Sequence, residues 1–183
     1  MIPSEEEALA LHRKFGSNDA IVRHCRTVAR VSRILTDRLL AVGKPVDAEA
    51  VAAGALLHDI GRNRNQTVRH GLEGAEMLAR EGVSDVVVQI VRRHVGAGLS
   101  PKEARKLGLP ELDYIPRTLE ERIVCFADKL VDSDSVRPFA GEVERFARKG
   151  HDVERLQALK RGLQADLGVD PEKLVLDNVK ESD

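Results

Sequence analysis

The chain has 183 residues, the length of one domain, with 29 Lys+Arg against 30 Asp+Glu and a formal net charge of −1. That balance excludes coating bulk nucleic acid or an anionic membrane through a general basic excess, while a local basic patch stays open. Hydrophobic residues at 42% exclude a disordered chain, and two cysteines, Cys25 and Cys125, exclude a disulfide scaffold or a CxxC zinc ribbon.

Taken in chain order, the pattern is helical almost throughout. Ser4 to Glu7 reads as a capping box opening a helix that stops near Gly16. Asn18 or Asp19 caps a long second helix whose inward stripe is Ile21, Val28, Val31, Leu35 and Leu39. Asp47 caps a third, through His58-Asp59, closed by Gly61; a polar loop, RNRNQTVR, follows. The fourth runs from about His70 to Glu81. Ser84 caps a fifth, DVVVQIVRRHV, whose Val run also suits a strand; the i, i+3, i+4, i+7 spacing of Val87, Ile90, Val91 and His94 favours helix. Ser100–Glu103 and Thr118–Glu121 are two further capping boxes, opening a short helix at 101–107 and the one that carries Cys125 to Val131. Two helices fill 139–149 and 152–167. The tail from Pro171 reads as part helix and part frayed end. No strand is predicted, so the fold class is all-α.

No apolar run approaches the roughly 18 residues of a membrane span, and the acidic start MIPSEEEALA is unlike a signal peptide. The expectation is a cytoplasmic protein with reduced thiols and no membrane partner. The thiols read as small buried hydrophobes.

Six polar residues interrupt the inward stripes: His24, His58, Asp59, His70, His94 and Asp128. Singly, each has a plain explanation, since an inward His is usually a hydrogen-bonded core residue and His70 can simply start a helix. Together they are less easily dismissed, because an unpaired buried carboxylate costs several kcal/mol and a metal ion relieves that for every group at once. Neighbouring residues at a helix end project about 100° apart, so His58 and Asp59 can both reach one ion. A His and an Asp from two other helices complete an N/N/O/O shell, suited to Mn, Fe, Co, Ni or Zn. Such an ion acidifies a bound water and polarises a phosphoryl oxygen. His12 and His151 lie in polar contexts and receive no role. Arg62, Arg64, Arg69, Arg92, Arg93 and Lys129 crowd near the ligands; Arg62 and Lys129 adjoin them and are the candidate substrate-binding cations. Tyr114 is a candidate for stacking on a base.

The pattern His24 … His58-Asp59-Ile60-Gly61 … Asp128 resembles the HD-domain metal-dependent phosphohydrolases of the HDIG type, over about residues 20–135. RHGLEGAEML, RRHVGAG and TLEERIVCFADKL are similar to stretches of the branch that includes the symmetrical diadenosine tetraphosphate hydrolases. The resemblance implies a single HD helical bundle over about 1–170, with 171–183 as a tail. It implies His24, His58, Asp59 and Asp128 as ligands of one divalent ion. His70 and His94 become ligands of a second ion or of phosphate, and with Asp59 take part in catalysis. The implied activity is hydrolysis of a phosphate ester or anhydride, on a small phosphorylated substrate of nucleotide type. The chain departs from that branch after each motif: Arg62-Asn63-Arg64 follows the HDIG, and Lys129-Leu130-Val131-Asp132 stands where acidic and aromatic residues are usual. Two alternatives stay open: a phosphoesterase for RNA ends or cyclic phosphates, and a nucleotide or metal sensor without turnover. A nucleic-acid partner and a homo-oligomer stay open as well.

Overall fold

Local capping signals place most of the helix ends in the computed structural model, which describes residues 1–180. Ser4 and Glu7 form the reciprocal box that opens α1 (Glu5–Phe15), and Gly16, at φ +74°, closes it. Asn18 accepts the Ile21 N–H to start α2 (Asp19–Ala41), and Asp47 accepts that of Ala50 to start α3 (Ala48–Leu57). Then come α4 (His70–Arg80), α5 (Asp85–Arg93), α6 (Pro101–Lys106) with its Ser100–Glu103 box, and α7 (Leu119–Lys129). The chain goes on through α8 (Phe139–Arg148), α9 (Val153–Leu167) and α10 (Pro171–Lys180). The Val run of α5 is helical, with Val87, Ile90 and Val91 on the core side.

Long α2 is the axis. It packs on α3 and α7, α3 packs on α5, and α4 lies against α5; α9 and α10 cover another side of α2. Leu35, Leu39, Leu57, Ile90, Ile123 and Phe126 are fully buried between these helices. Each such side chain contributes roughly 1.5–3 kcal/mol by leaving water. Val175 of α10 is also fully buried, so the start of the predicted tail is packed; the frayed end expected from the sequence extends into 181–183, which lie outside the described residues. No helix among the described residues is long and apolar enough to cross a membrane.

Four local readings differ from the structure. Ser84 stands at the N-terminal end of α5, but its side chain accepts no cap hydrogen bond, so the apolar stripe rather than the cap places that helix. Thr118 caps α7 by accepting the Glu121 N–H, but the reciprocal half of that box is not made: the buried Glu121 carboxylate accepts from Arg117 N–H and Arg93 instead. Val131 leaves α7 and enters a hairpin of β1 (Val131–Asp132) and β2 (Ser135–Val136), too short for any periodicity to show. Helix α3 ends at Leu57, and a 3₁₀ turn over Ile60–Asn63 follows.

Gly61 therefore does not end a helix; it lets that turn touch α4. A Cβ there would lie 2.1 Å from the His70 carbonyl oxygen and 2.8 Å from the Gly74 nitrogen, both backbone atoms that cannot swing aside. At Gly54 the nearest atoms, from 2.7 Å, belong to the Ile90 side chain, which can. Gly61→Ala is expected to destabilise by about 3 kcal/mol and Gly54→Ala by less, read as urea midpoints. Equal losses at the two sites would show that the turn and α4 are not held this close.

Candidate metal centre

The six predicted residues meet at one point because five element ends converge there. His24 sits in the first turns of α2; His58 and Asp59 follow the last residue of α3; His70 opens α4; His94 closes α5; Asp128 lies at the end of α7. His58, His70 and His94 are buried, with Asp59 only 4% exposed.

The rings are held by their outer nitrogens. Nδ1 of His58, His70 and His94 lies 2.8, 2.6 and 2.7 Å from the carbonyl oxygen three residues back, on Ala55, Thr67 and Val91. His24 Nδ1 makes the same bond at 2.7 Å to Ser133 O, across the fold. A carbonyl can only accept, so each Nδ1 carries the ring proton and each Nε2 of a neutral ring presents a lone pair. Those lone pairs face one another. His24 Nε2 and His58 Nε2 are 3.3 Å apart, and His70 Nε2 and His94 Nε2 are 3.0 Å apart. Two acceptors at that distance repel unless a cation lies among them.

The carboxylates complete the arrangement. Asp59 Oδ1 is 3.2 and 3.3 Å from His70 and His94 Nε2; Oδ2 is 3.8 and 3.7 Å from those of His24 and His58. Asp128 Oδ1 lies 3.0 and 3.5 Å from His24 and His58 Nε2. Asp59 thus stands between two clusters, His24–His58–Asp59 and Asp59–His70–His94, and its Oδ1 is buried without a hydrogen-bond donor. Lone-pair nitrogens, an orphaned buried carboxylate oxygen and a second carboxylate fit a divalent transition ion in the first cluster. The second offers an N/N/O set of lone pairs, which suits another cation; a phosphate would find no hydrogen-bond donor there.

The charges agree with a site built for cations. Burial opposes ionisation of Asp59 and Asp128, yet a positively charged His58 beside the first and Lys129 beside the second hold both well below the usual carboxylate range. Against burial, the acids in turn raise His58 and His24, so without a metal ion a proton supplies the positive charge that the facing rings need. Burial takes His94 down to about 4, so its ring is neutral across ordinary pH.

Both predicted substrate-binding cations reach the centre through its acids. Arg62 Nε donates to Asp59 Oδ2 at 2.6 Å, and Lys129 Nζ donates to Asp128 Oδ2. Arg62 and Lys129 also line a cleft of about 760 Å³ that opens from the centre. Of the other arginines noted from sequence, Arg93 pairs with Glu121 and Arg69 with Glu73, and Arg64 lies over the Phe15 ring. Tyr114 is not available to a base: it is 3% exposed, packed with Leu72 and Leu109, and donates to Pro110 O. Cys25 and Cys125 are free and buried, as read.

Two supports escaped sequence reasoning. His12 is buried rather than solvated: its Nε2 lies 2.7 Å from Leu56 O, two residues before His58, and ties α1 to that helix end. Ser133, whose carbonyl holds His24, has φ +58° and is the only non-glycine with positive φ among the described residues. Neither carries a sequence signal, because both depend on contacts between distant segments.

The chain matches the HD domain family over residues 21–131, a span that contains all six residues of the centre. It is 39% identical to a tRNA (cytidine(56)-2'-O)-methyltransferase of Picrophilus torridus, over 96% of this chain and 51% of that protein. It is 43% identical to an uncharacterized protein of Methanocaldococcus jannaschii, over 69% of this chain and 74% of that protein. The chain spans about half the length of the methyltransferase relatives it matches. Its fold is similar to the HD domain of the L. monocytogenes phosphodiesterase PgpH, solved with cyclic-di-AMP: TM-score 0.54, 18% identity, 86% of this chain and 95% of that one.

Proposed function

The chain belongs to the HD domain family, and from that premise we propose that it is a metal-dependent phosphohydrolase acting on a phosphate ester. The observation that carries this is the pair of facing Nε2 groups on each side of Asp59, an arrangement that repels itself without cations. His24, His58, Asp59 and Asp128 would hold one divalent ion. His70 and His94, with the other oxygen of Asp59, would hold a second ion, and a phosphate would be met through that ion rather than by these lone pairs. A bound divalent ion supplies an acidified water and a Lewis acid for a phosphoryl oxygen. The chain's own residues do the rest. The backbone carbonyls fix each ring's tautomer and direction, so no reorganisation is needed when the charge develops. Arg62 and Lys129 stand beside the two carboxylates, with donors that can turn to non-bridging phosphoryl oxygens.

Among the substrates considered, an RNA phosphate is favoured over a free dinucleotide. Relatives that match this chain almost from end to end carry names of enzymes that act on tRNA. Methyl transfer itself is not proposed, since the chain matches only about half of those proteins.

The test is a panel of mononucleotides, cyclic nucleotides and RNA oligomers with terminal or cyclic phosphates. Chelated protein is reloaded with Mn, Fe, Co, Ni or Zn in turn. The expected result is loss of phosphate release on chelation and its return with at least one of these ions. Release that persists after metal loss is confirmed by elemental analysis would overturn the proposal.

A further inference from the structure

The cleft extends well past the metal centre. Its inner end holds His24, Asp59, Asp128 and Lys129, and its outer end lies between α6 and the α8–α9 connection. One face of α8 forms a wall: Glu142, Arg145, Phe146 and Lys149 all line it, at i, i+3, i+4 and i+7. That face runs about 10 Å along the helix. A phosphoryl group alone needs none of this outer space.

The charges are sorted along the same direction. Near the centre, Arg62 is taken by Asp59 and Lys129 by Asp128. Further out, Arg145 is taken by Glu142, and Arg155 by Glu103 and Asp152. Lys106 at the end of α6 and Lys149 at the end of α8 line the cleft and are exposed; neither has a side-chain partner among the described residues. Beside each lies a surface suited to a base. Leu107, next to Lys106, is 47% exposed, one of few large apolar side chains so open to water. The exposed His151 ring, two residues after Lys149, sits edge-on to Phe146 with centroids 5.4 Å apart. Alternating cations and flat or apolar surfaces along a groove match a nucleic-acid single strand, with its alternating phosphates and bases. In a duplex the bases are stacked inside and cannot reach such surfaces.

We propose that the outer half of the cleft binds the single-stranded end of an RNA, with Lys106 and Lys149 on internucleotide phosphates and Leu107 and His151 flanking a base. This rests on the reading that an RNA phosphate is hydrolysed at the inner end, and deepens it by naming how the chain behind that phosphate is held.

The experiment measures binding separately from turnover. A fluorescein-labelled single-stranded oligoribonucleotide of ten nucleotides is titrated with the full chain, anisotropy being read over a range of salt concentrations. Lys106→Ala and Lys149→Ala are each expected to weaken binding about fivefold and to lower the salt slope by about 0.7, the value for one phosphate contact on a single strand. Lys102→Ala and Arg148→Ala remove the same charge from the same two helices at exposed positions that do not line the cleft, and are expected to leave binding unchanged. Leu107→Ala and His151→Ala should weaken binding without changing the salt slope. Equal losses in the cleft variants and the Lys102 and Arg148 controls, or no loss in any of them, would overturn the proposal. So would tighter binding of a blunt RNA duplex than of the single strand. If the lysine pair binds the probe as expected and no substrate is hydrolysed, the binding assignment stands and the hydrolase reading fails.

Discussion

Asp59→Ala is expected to lose metal from both halves of the centre at once, because its two carboxylate oxygens are turned toward different histidine pairs. Phosphate release should fall by about 10³-fold or more, beyond the effect of one lost charge-stabilising donor. Activity alone would not separate a lost ligand from a damaged fold, so melting temperature is the second readout. An ion that binds only the folded chain raises its stability by about 2.7 kcal/mol at a hundred times the dissociation constant. Added Mn or Co should therefore raise the melting temperature of the parent chain and leave that of Asp59→Ala where it is. Equal metal content in the two proteins after identical loading, or an equal thermal response, would refute the assignment. Asp128→Ala is expected to be milder in metal stoichiometry, emptying only the cluster of His24 and His58, since Asp128 contacts neither His70 nor His94.

His70→Ala and His94→Ala should each lower kcat/KM by about 10²–10³-fold while the His24–His58 cluster keeps its ion. The competing account is that His94 is an ordinary core residue. It is 1% exposed and its Nδ1 is satisfied by Val91 O, which is what that account requires. The two accounts part at Nε2. A core imidazole would direct that nitrogen at a donor, whereas His94 Nε2 faces His70 Nε2 and an Asp59 oxygen. Removing a core residue lowers melting temperature and spares activity per folded molecule. Removing a site residue does the reverse. Near-normal kcat/KM in both variants would confine the chemistry to His24, His58, Asp59 and Asp128.

The sequence was most informative where a residue acts through its immediate neighbours. Capping boxes, helix-ending glycines and the 3.6-residue stripe are local, and α1, α2, α5 and α6 lie where those signals put them. Three of the four site histidines are held by the carbonyl three residues back, so even their ring orientation is written into a few consecutive residues. Polar residues on apolar stripes likewise declared themselves, since burial without a partner is costly wherever the stripe packs.

What the sequence by itself determined, then, is a helical fold and six polar residues placed on inward stripes. Only the tertiary structure decided how those six are arranged around one another. That Asp59 stands between two histidine pairs, that Gly61 passes against the His70 carbonyl, and that the Ser133 carbonyl orients His24 from 109 positions away are consequences of packing. The same holds for His12, polar in its local context yet buried on α3, and for Glu121, whose carboxylate left its cap for Arg93. In each case the deciding partner lies on another element. Close packing selects that partner through a distance of a few ångströms that no local pattern encodes.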